Sequence, residues 1–221
     1  MGQVVVITGA NRGIGLALTA AFKQQGDTVY ALCRQSSPEL DALQVNVVPH
    51  IDVATEVGLQ EMITKLGDIP IDILICNAGI LRDESLQRLN SDTIREQFEV
   101  NALAPLRVVY SLQTNLKSGS KIAMITSRMG SIADNGSGGR YGYRMSKAAL
   151  NAASMSLAKD LAPEDIAVGI FHPGYVQTDM VNQGGDISTL ECAQRLTGLI
   201  NDLSMSESGV FKHSNGQVLP W

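Results

Sequence analysis

The chain has 221 residues, 44% hydrophobic and 18% charged, with a formal net charge of −5, the proportions of a globular protein with enough chain to bury one substantial core. An acidic balance with no basic block argues against a nucleic-acid partner. Three scattered cysteines (Cys33, Cys76, Cys192) are too few for a disulfide framework or a metal site and point to a reducing, cytoplasmic compartment.

The first strand is expected over residues 3–7, close enough to Met1 to leave no room for a signal peptide, and no apolar run reaches membrane-spanning length. Behind it come Thr8, Gly9, Ala10, Asn11, Arg12, Gly13, Ile14 and Gly15, then a helical pattern over 14–25. Glycines in a strand-to-helix turn let backbone approach a pyrophosphate at a helix N-terminus. The second strand, 28–33, ends at Arg34, where a carboxylate would have accepted from a ribose 2′-hydroxyl; the nearest acid, Asp27, lies at the strand's other end. Arg34, with Arg12 in the glycine loop, suits a 2′-phosphate, which favours NADP(H) over NAD(H).

A third strand, 45–50, leads to Asp52 and Val53, which could meet the adenine edge. A helix over 55–66 and a fourth strand, 71–76, lead to Asn77, Ala78 and Gly79, small residues that admit close approach. A long helix over 91–116 carries Asn101 four residues before Pro105; the proline deprives the Asn101 carbonyl of its helical donor and bends the helix, leaving that carbonyl able to hold a water. The fifth strand, 121–126, ends at Ser127. The helix over 141–161 then places Tyr143 and Lys147 four residues apart on one face. The sixth strand, 168–172, precedes Pro173 and Gly174; a capping box at Ser188–Glu191 starts a helix over 189–203, and a short last strand is expected to end at Leu219. His50 and His172 end strands and read as structural.

Near-continuous apolar strands alternating with helices predict an α/β fold: one doubly wound, Rossmann-type domain with a mostly parallel sheet of about seven strands. Its nucleotide half covers about 1–100 and its catalytic half about 101–221. In such sheets ligands bind at the carboxyl edge, and that is where Ser127 and the helix of Tyr143 fall. A phenol with a nearby ammonium is expected to titrate lower than usual and to exchange a proton with an alkoxide. Ser127 can donate to the same oxygen.

Taken in order, Thr8 to Gly15, Asp52–Val53, Asn77–Ala78–Gly79, Asn101, Ser127, Tyr143, Lys147 and Pro173–Gly174 with Thr178 resemble the short-chain dehydrogenase/reductase family over nearly the whole chain. Residues 143–151 and 172–180, with the ending Leu219–Pro220–Trp221, are similar to its C-factor and Sniffer-like carbonyl reductase branch. The resemblance implies a catalytic tetrad of Asn101, Ser127, Tyr143 and Lys147. It implies NADP(H) held by Gly9, Asn11, Arg12, Gly13, Ile14, Gly15, Arg34, Asp52, Val53, Asn77, Ala78, Gly79, Tyr143, Lys147, Pro173, Gly174, Val176 and Thr178. It further implies reduction of an aldehyde, ketone or dione, no metal, and a homodimer or homotetramer built on the long helices. The alternative is an NADP(H)-binding regulatory or signalling protein with little turnover.

Three features depart from the pattern. Cys76 replaces the first Asn of the usual Asn-Asn-Ala-Gly. A glycine-rich insert, 130–139, separates Ser127 from Tyr143 and makes Ser131 a competitor for the serine role. The lid segment, 181–187, is short, which suggests an open pocket lined by Met129, Tyr175 and Met180.

Overall fold

Alternating residues of the central strands feed two different cores in the computed structural model, which describes residues 2–221. In β1 (Val4–Thr8) Val6 joins one core and Val5 and Ile7 the other. β4 (Ile71–Cys76) and β5 (Leu116–Ile125) divide in the same way, with Leu74 and Met124 in the first core and Ile75 and Ala123 in the second. A period of two with both sets apolar is what a sheet covered on both faces requires. With β2 (Thr28–Leu32), β3 (Asn46–Val48), β6 (Ala167–His172) and β7 (Phe211–His213) these strands form one parallel sheet in the order β3-β2-β1-β4-β5-β6-β7.

Helices α1 (Gly13–Gln24), α2 (Pro38–Ala42) and α7 (Thr189–Asp202) cover one face through Leu18, Phe22, Leu40, Leu196 and Ile200. The other face is covered by α3 (Glu56–Leu66), α5 (Ala104–Ser111) and α6 (Tyr141–Asp160) through Met62, Val108 and Leu150. The order reverses between β1 and β4, so their loops diverge and open a crevice at the carboxyl edge. Among the described residues no helix is long and apolar enough to cross a membrane.

The predicted seven-strand architecture therefore holds, with four local corrections. The helix expected over 91–116 is α4 (Ser91–Phe98), a π turn over Glu99–Leu103 and α5; a 3₁₀ turn and then β5 take up the remainder. Pro105 opens α5, and the wide turn before it accommodates the missing donor, so the irregularity lies around Asn101 as the proline requires. β5 begins at Leu116 rather than at 121, pairing with Ile71 across a register shift. The last strand is Phe211–His213; the apolar Leu219 instead returns antiparallel, donating its N–H to the Phe211 carbonyl at 2.8 Å. The short α2 gives no periodic pattern, but Ser37 caps it and Leu40 is fully buried.

Candidate active site

The crevice is a cleft of about 1010 Å³, at the upper end of the range for small-molecule sites. Its nucleotide end is built from backbone. Gly9 has φ +67°, and a Cβ there would lie 2.9 Å from the Ala78 Cα; a Cβ on Gly15 would lie 2.2 Å from the Gly9 carbonyl oxygen. Asn77 pins the two loops together, donating from Nδ2 to the carbonyls of Thr8 and Gly9, while its own N–H reaches Thr8 Oγ1. Gly9 thus lies under Ala78 and Gly15 against Gly9 and Asn77, neither with room for a side chain, a surface that presents bare backbone to the cleft. Asp52 holds the next turn, accepting from the Ala54 N–H at 3.1 Å.

Arg34 lines the cleft at the end of β2 and has no carboxylate partner among the described residues; Arg12 is 3.9 Å from Asp179, both largely exposed. Asp27, as expected, is at the far end of the sheet, where Oδ1 accepts from the Gln3 N–H. The donor set at this end is cationic and backbone-derived, which fits an anionic, phosphate-bearing cofactor.

At the other end, Ser127 follows β5 and Tyr143 and Lys147 project from the first two turns of α6 into the same cleft. Ser127 Oγ accepts from the Met129 N–H at 3.1 Å, which leaves its proton free for an oxygen in the cleft. Lys147 is buried; Nζ donates to the Ile125 carbonyl at 2.9 Å and lies 5.9 Å from the centroid of the Tyr143 ring. Burial lowers Lys147 to about 8. The expectation that Lys147 would pull the Tyr143 phenol down is corrected here: burial raises Tyr143, outweighing the Ser127 hydroxyl and the Arg140 guanidinium, which act the other way. Tyr143 is therefore a neutral phenol at neutral pH, a proton donor rather than a base.

Asn101 does not line the cleft. Fully buried in the π turn, it accepts from the Ile80 N–H and donates to the Ile80 carbonyl, each at 2.8 Å, and donates to Ser146 Oγ at 3.1 Å. It fixes the strand-end loop against α6 behind the reacting groups. All the other expected catalytic and cofactor positions lie on the cleft wall, Pro173, Gly174, Val176 and Thr178 included. Pro173 is held from behind by Ser214 Oγ and Cys192 Sγ, both directed at its carbonyl. Ser131 is buried with its hydroxyl on the Asp134 N–H and is absent from the cleft wall, so Ser127 is the serine that faces it. Met129, Tyr175 and Met180 do line it. So does His172, held at about 3 by burial and packed edge-on against His213, which makes it a neutral wall.

Glu84 escapes sequence reasoning. It is 3% exposed; Oε1 accepts from Thr93 Oγ1 and Gln97 Nε2, each at 2.7 Å, and Oε2 from the Gly142 N–H at 3.2 Å. The carboxylate thus joins α4 to the positive end of α6, one residue before Tyr143. A Cβ on Gly142 would lie 2.4 Å from Gln97 Nε2, so the two helices meet at closest approach here. Nothing in the sequence around Glu84 marks it, because its partners come from two other segments, α4 and α6. Glu84→Ala removes the acceptor of three donors, of which only Thr93 Oγ1 and Gln97 Nε2 have a second acceptor, the carbonyls of Asn90 and Thr93, and is expected to destabilise the fold by ~2 kcal/mol, read as a lower urea midpoint; an unchanged midpoint would remove Glu84 from this role.

The model of the short chain dehydrogenase family matches residues 3–186. The chain is 34% identical, over 99% of its length and 100% of the relative's, to a Rhodococcus 1-hydroxy-2-glutathionyl-2-methyl-3-butene dehydrogenase. It is 42% identical to the C-signal protein of Myxococcus xanthus over 69% of this chain and 93% of that one. Among solved structures, a Pseudomonas aeruginosa carbonyl reductase in complex with NADP superposes with a TM-score of 0.85 at 32% identity, covering 100% of both chains.

Proposed function

The chain belongs to the short-chain dehydrogenase family of oxidoreductases, and from that premise we propose that it is an NADP(H)-dependent carbonyl reductase. The observation that carries the reading is the convergence of Ser127, Tyr143 and Lys147 on one cleft whose other end is a glycine cradle with Arg34 at its rim. The resemblance to an NADP-bound carbonyl reductase supports the choice of cofactor. Gly9, Gly13 and Gly15 would lie against the pyrophosphate, Arg34 and Arg12 against a 2′-phosphate, and Pro173, Gly174 and Thr178 at the nicotinamide end. The cofactor supplies a hydride.

The protein's own residues handle the oxygen and its proton. Ser127 donates a hydrogen bond to the substrate oxygen and aligns it. Tyr143, held protonated by burial, gives its proton to that oxygen as negative charge develops there. The Lys147 ammonium, 5.9 Å from the centroid of the ring, stabilises the resulting phenolate. Asn101 acts through Ile80 and Ser146 as a positioning residue. The filled tetrad favours turnover over a purely regulatory role, and exposed Phe98 and Tyr110 on α4 and α5 support an oligomer built on those helices.

The test is a titration with NADPH and NADH, followed by NADPH oxidation against aldehydes, ketones and diones. Arg34→Asp is expected to weaken NADPH by ~10²-fold and to leave NADH within a few-fold. Equal effects on the two would remove Arg34 from the phosphate site, and no NADPH binding by the unmodified protein would overturn the reading.

A further inference from the structure

Four guanidinium groups stand around the substrate end of the cleft, and they are not equivalent. Arg82 is closed by a two-point pair with Glu96, at 2.8 Å from Nη2 and 3.1 Å from Nε, and Arg128 is paired with Asp134. Both acids line the cleft with their arginines, so these charges cancel where a substrate would meet them. Arg140 has one carboxylate partner among the described residues, Asp83, 3.3 Å from Nε, 74% exposed and outside the cleft wall, and its Nη1 lies 4.0 Å from the Met129 sulfur. Arg144 lines the cleft half-buried and has no carboxylate partner among the described residues; it binds Ser137 Oγ at 2.8 Å and the Gly138 carbonyl at 3.3 Å.

Local chemistry opposes arginine at both positions. Arg140 sits at the N-cap of α6 with φ 51° and ψ 47° and makes no side-chain cap bond, where Asn, Asp, Ser or Gly would serve better. Both cations stand at the positive end of a 20-residue helix whose first turn holds no acid. Residues kept against their local preferences are expected where they act on something else. The Arg140 charge is felt at Tyr143, which puts it within reach of the reacting centre.

We propose that Arg140 and Arg144 form an anion clamp at the mouth of the substrate end, so that the carbonyl compounds this site selects carry a carboxylate or phosphate a few bonds from the carbonyl. The proposal rests on the reductase reading above and deepens it. Arg144, with no carboxylate partner among the described residues, and Arg140, whose one carboxylate is the exposed Asp83 outside the cleft wall, would orient the carbonyl by holding the far end of the molecule, binding energy that a neutral analogue of the same shape lacks. If Arg144 served only to tie down the 130–139 loop, acid and neutral substrates would suffer alike when it is changed.

The experiment compares 4-oxopentanoate, 6-oxoheptanoate and 8-oxononanoate with their methyl esters, measuring kcat/KM with NADPH at low and high salt. At least one acid is expected to exceed its ester by ~10-fold, with the preference shrinking in salt. Arg144→Gln and Arg140→Asn are each expected to bring that ratio down by ~5-fold or more. Asn suits the left-handed N-cap, so Arg140→Asn should keep or raise the melting temperature while losing the preference, which separates the clamp from a folding defect. Esters and acids reduced equally well, or a ratio indifferent to both substitutions, would overturn the clamp and leave the reductase intact. If none of the six compounds is reduced, the reductase reading loses its support; quenching of bound NADPH fluorescence by acid and ester then decides the clamp, and equal affinities would overturn it.

Discussion

Tyr143→Phe is expected to lower carbonyl reduction by ~10³-fold while leaving NADPH affinity within a factor of two or three. The reason lies in what the phenol alone provides. Ser127 can still polarise the substrate oxygen, and the glycine cradle is untouched, but the other acid on the cleft wall, the Lys147 ammonium, is directed at the Ile125 carbonyl 2.9 Å away and does not take the place of the phenol. His172, lowered to about 3 by burial, is already neutral at neutral pH, and Ser127 is an alcohol. The benzene ring of Phe retains the packing on which α6 rests, so the loss should fall on kcat rather than on stability. Stopped-flow oxidation of bound NADPH reads the chemical step directly, and activity within tenfold of the unmodified protein would end the role assigned to Tyr143. Because burial raises the phenol, the reductive rate should stay level through neutral pH instead of falling as it would for a pre-ionised tyrosine.

How much of this was legible in the sequence depends on whether the causes were local. The glycine loop, the strand ends and the Tyr143–Lys147 spacing are properties of contiguous residues, and the structure brings those segments to one edge because a parallel sheet has all its carboxyl ends on one side. Pro105 likewise forecast an irregularity at Asn101, though not that it would be a π turn. Non-local causes were hidden. Glu84 owes its burial to Thr93 and Gln97 on one face of α4 and to Gly142 on α6, and no pattern in the chain around Glu84 links it to either helix. Phe211–His213 is too short and too polar to declare itself a strand; it pairs because β6 offers an edge. The direction of the Tyr143 shift was misread for the same reason, since four-residue spacing gives a shared helix face but not the Ile125 carbonyl that draws Lys147 Nζ away from the phenol.

Lys147→Met is expected to abolish most turnover and, at neutral pH, to make the protein more stable. Burial takes Lys147 from 10.5 down to about 8, which at ~1.4 kcal/mol for each pKa unit means that holding the ammonium inside costs ~3 kcal/mol below pH 8. Between pH 8 and 10.5 the unfolded chain still carries this proton and the folded one has lost it, so the penalty fades as pH rises and is gone above 10.5. Methionine removes the charge, keeps most of the volume and forfeits a hydrogen bond to Ile125 worth ~1 kcal/mol. The net gain at pH 7 is then ~2 kcal/mol, or a rise of ~4–8 °C in melting temperature for a chain of this size. Cys33, Cys76 and Cys192 are all raised by burial and pull stability the opposite way above pH 9. The quantity to measure is therefore the difference between the two proteins' urea stabilities, in which the thiols cancel: it should be largest at pH 7, change sign before pH 10.5, and above that favour the unmodified protein by the ~1 kcal/mol of the lost hydrogen bond. The same proton should appear in catalysis, with kcat/KM for reduction falling above pH 8 in the unmodified enzyme as the ammonium is lost. A methionine variant less stable than its parent at pH 7 would mean that Lys147 is held by interactions stronger than its one carbonyl contact, and the ammonium would then be a structural element rather than a strained catalytic one.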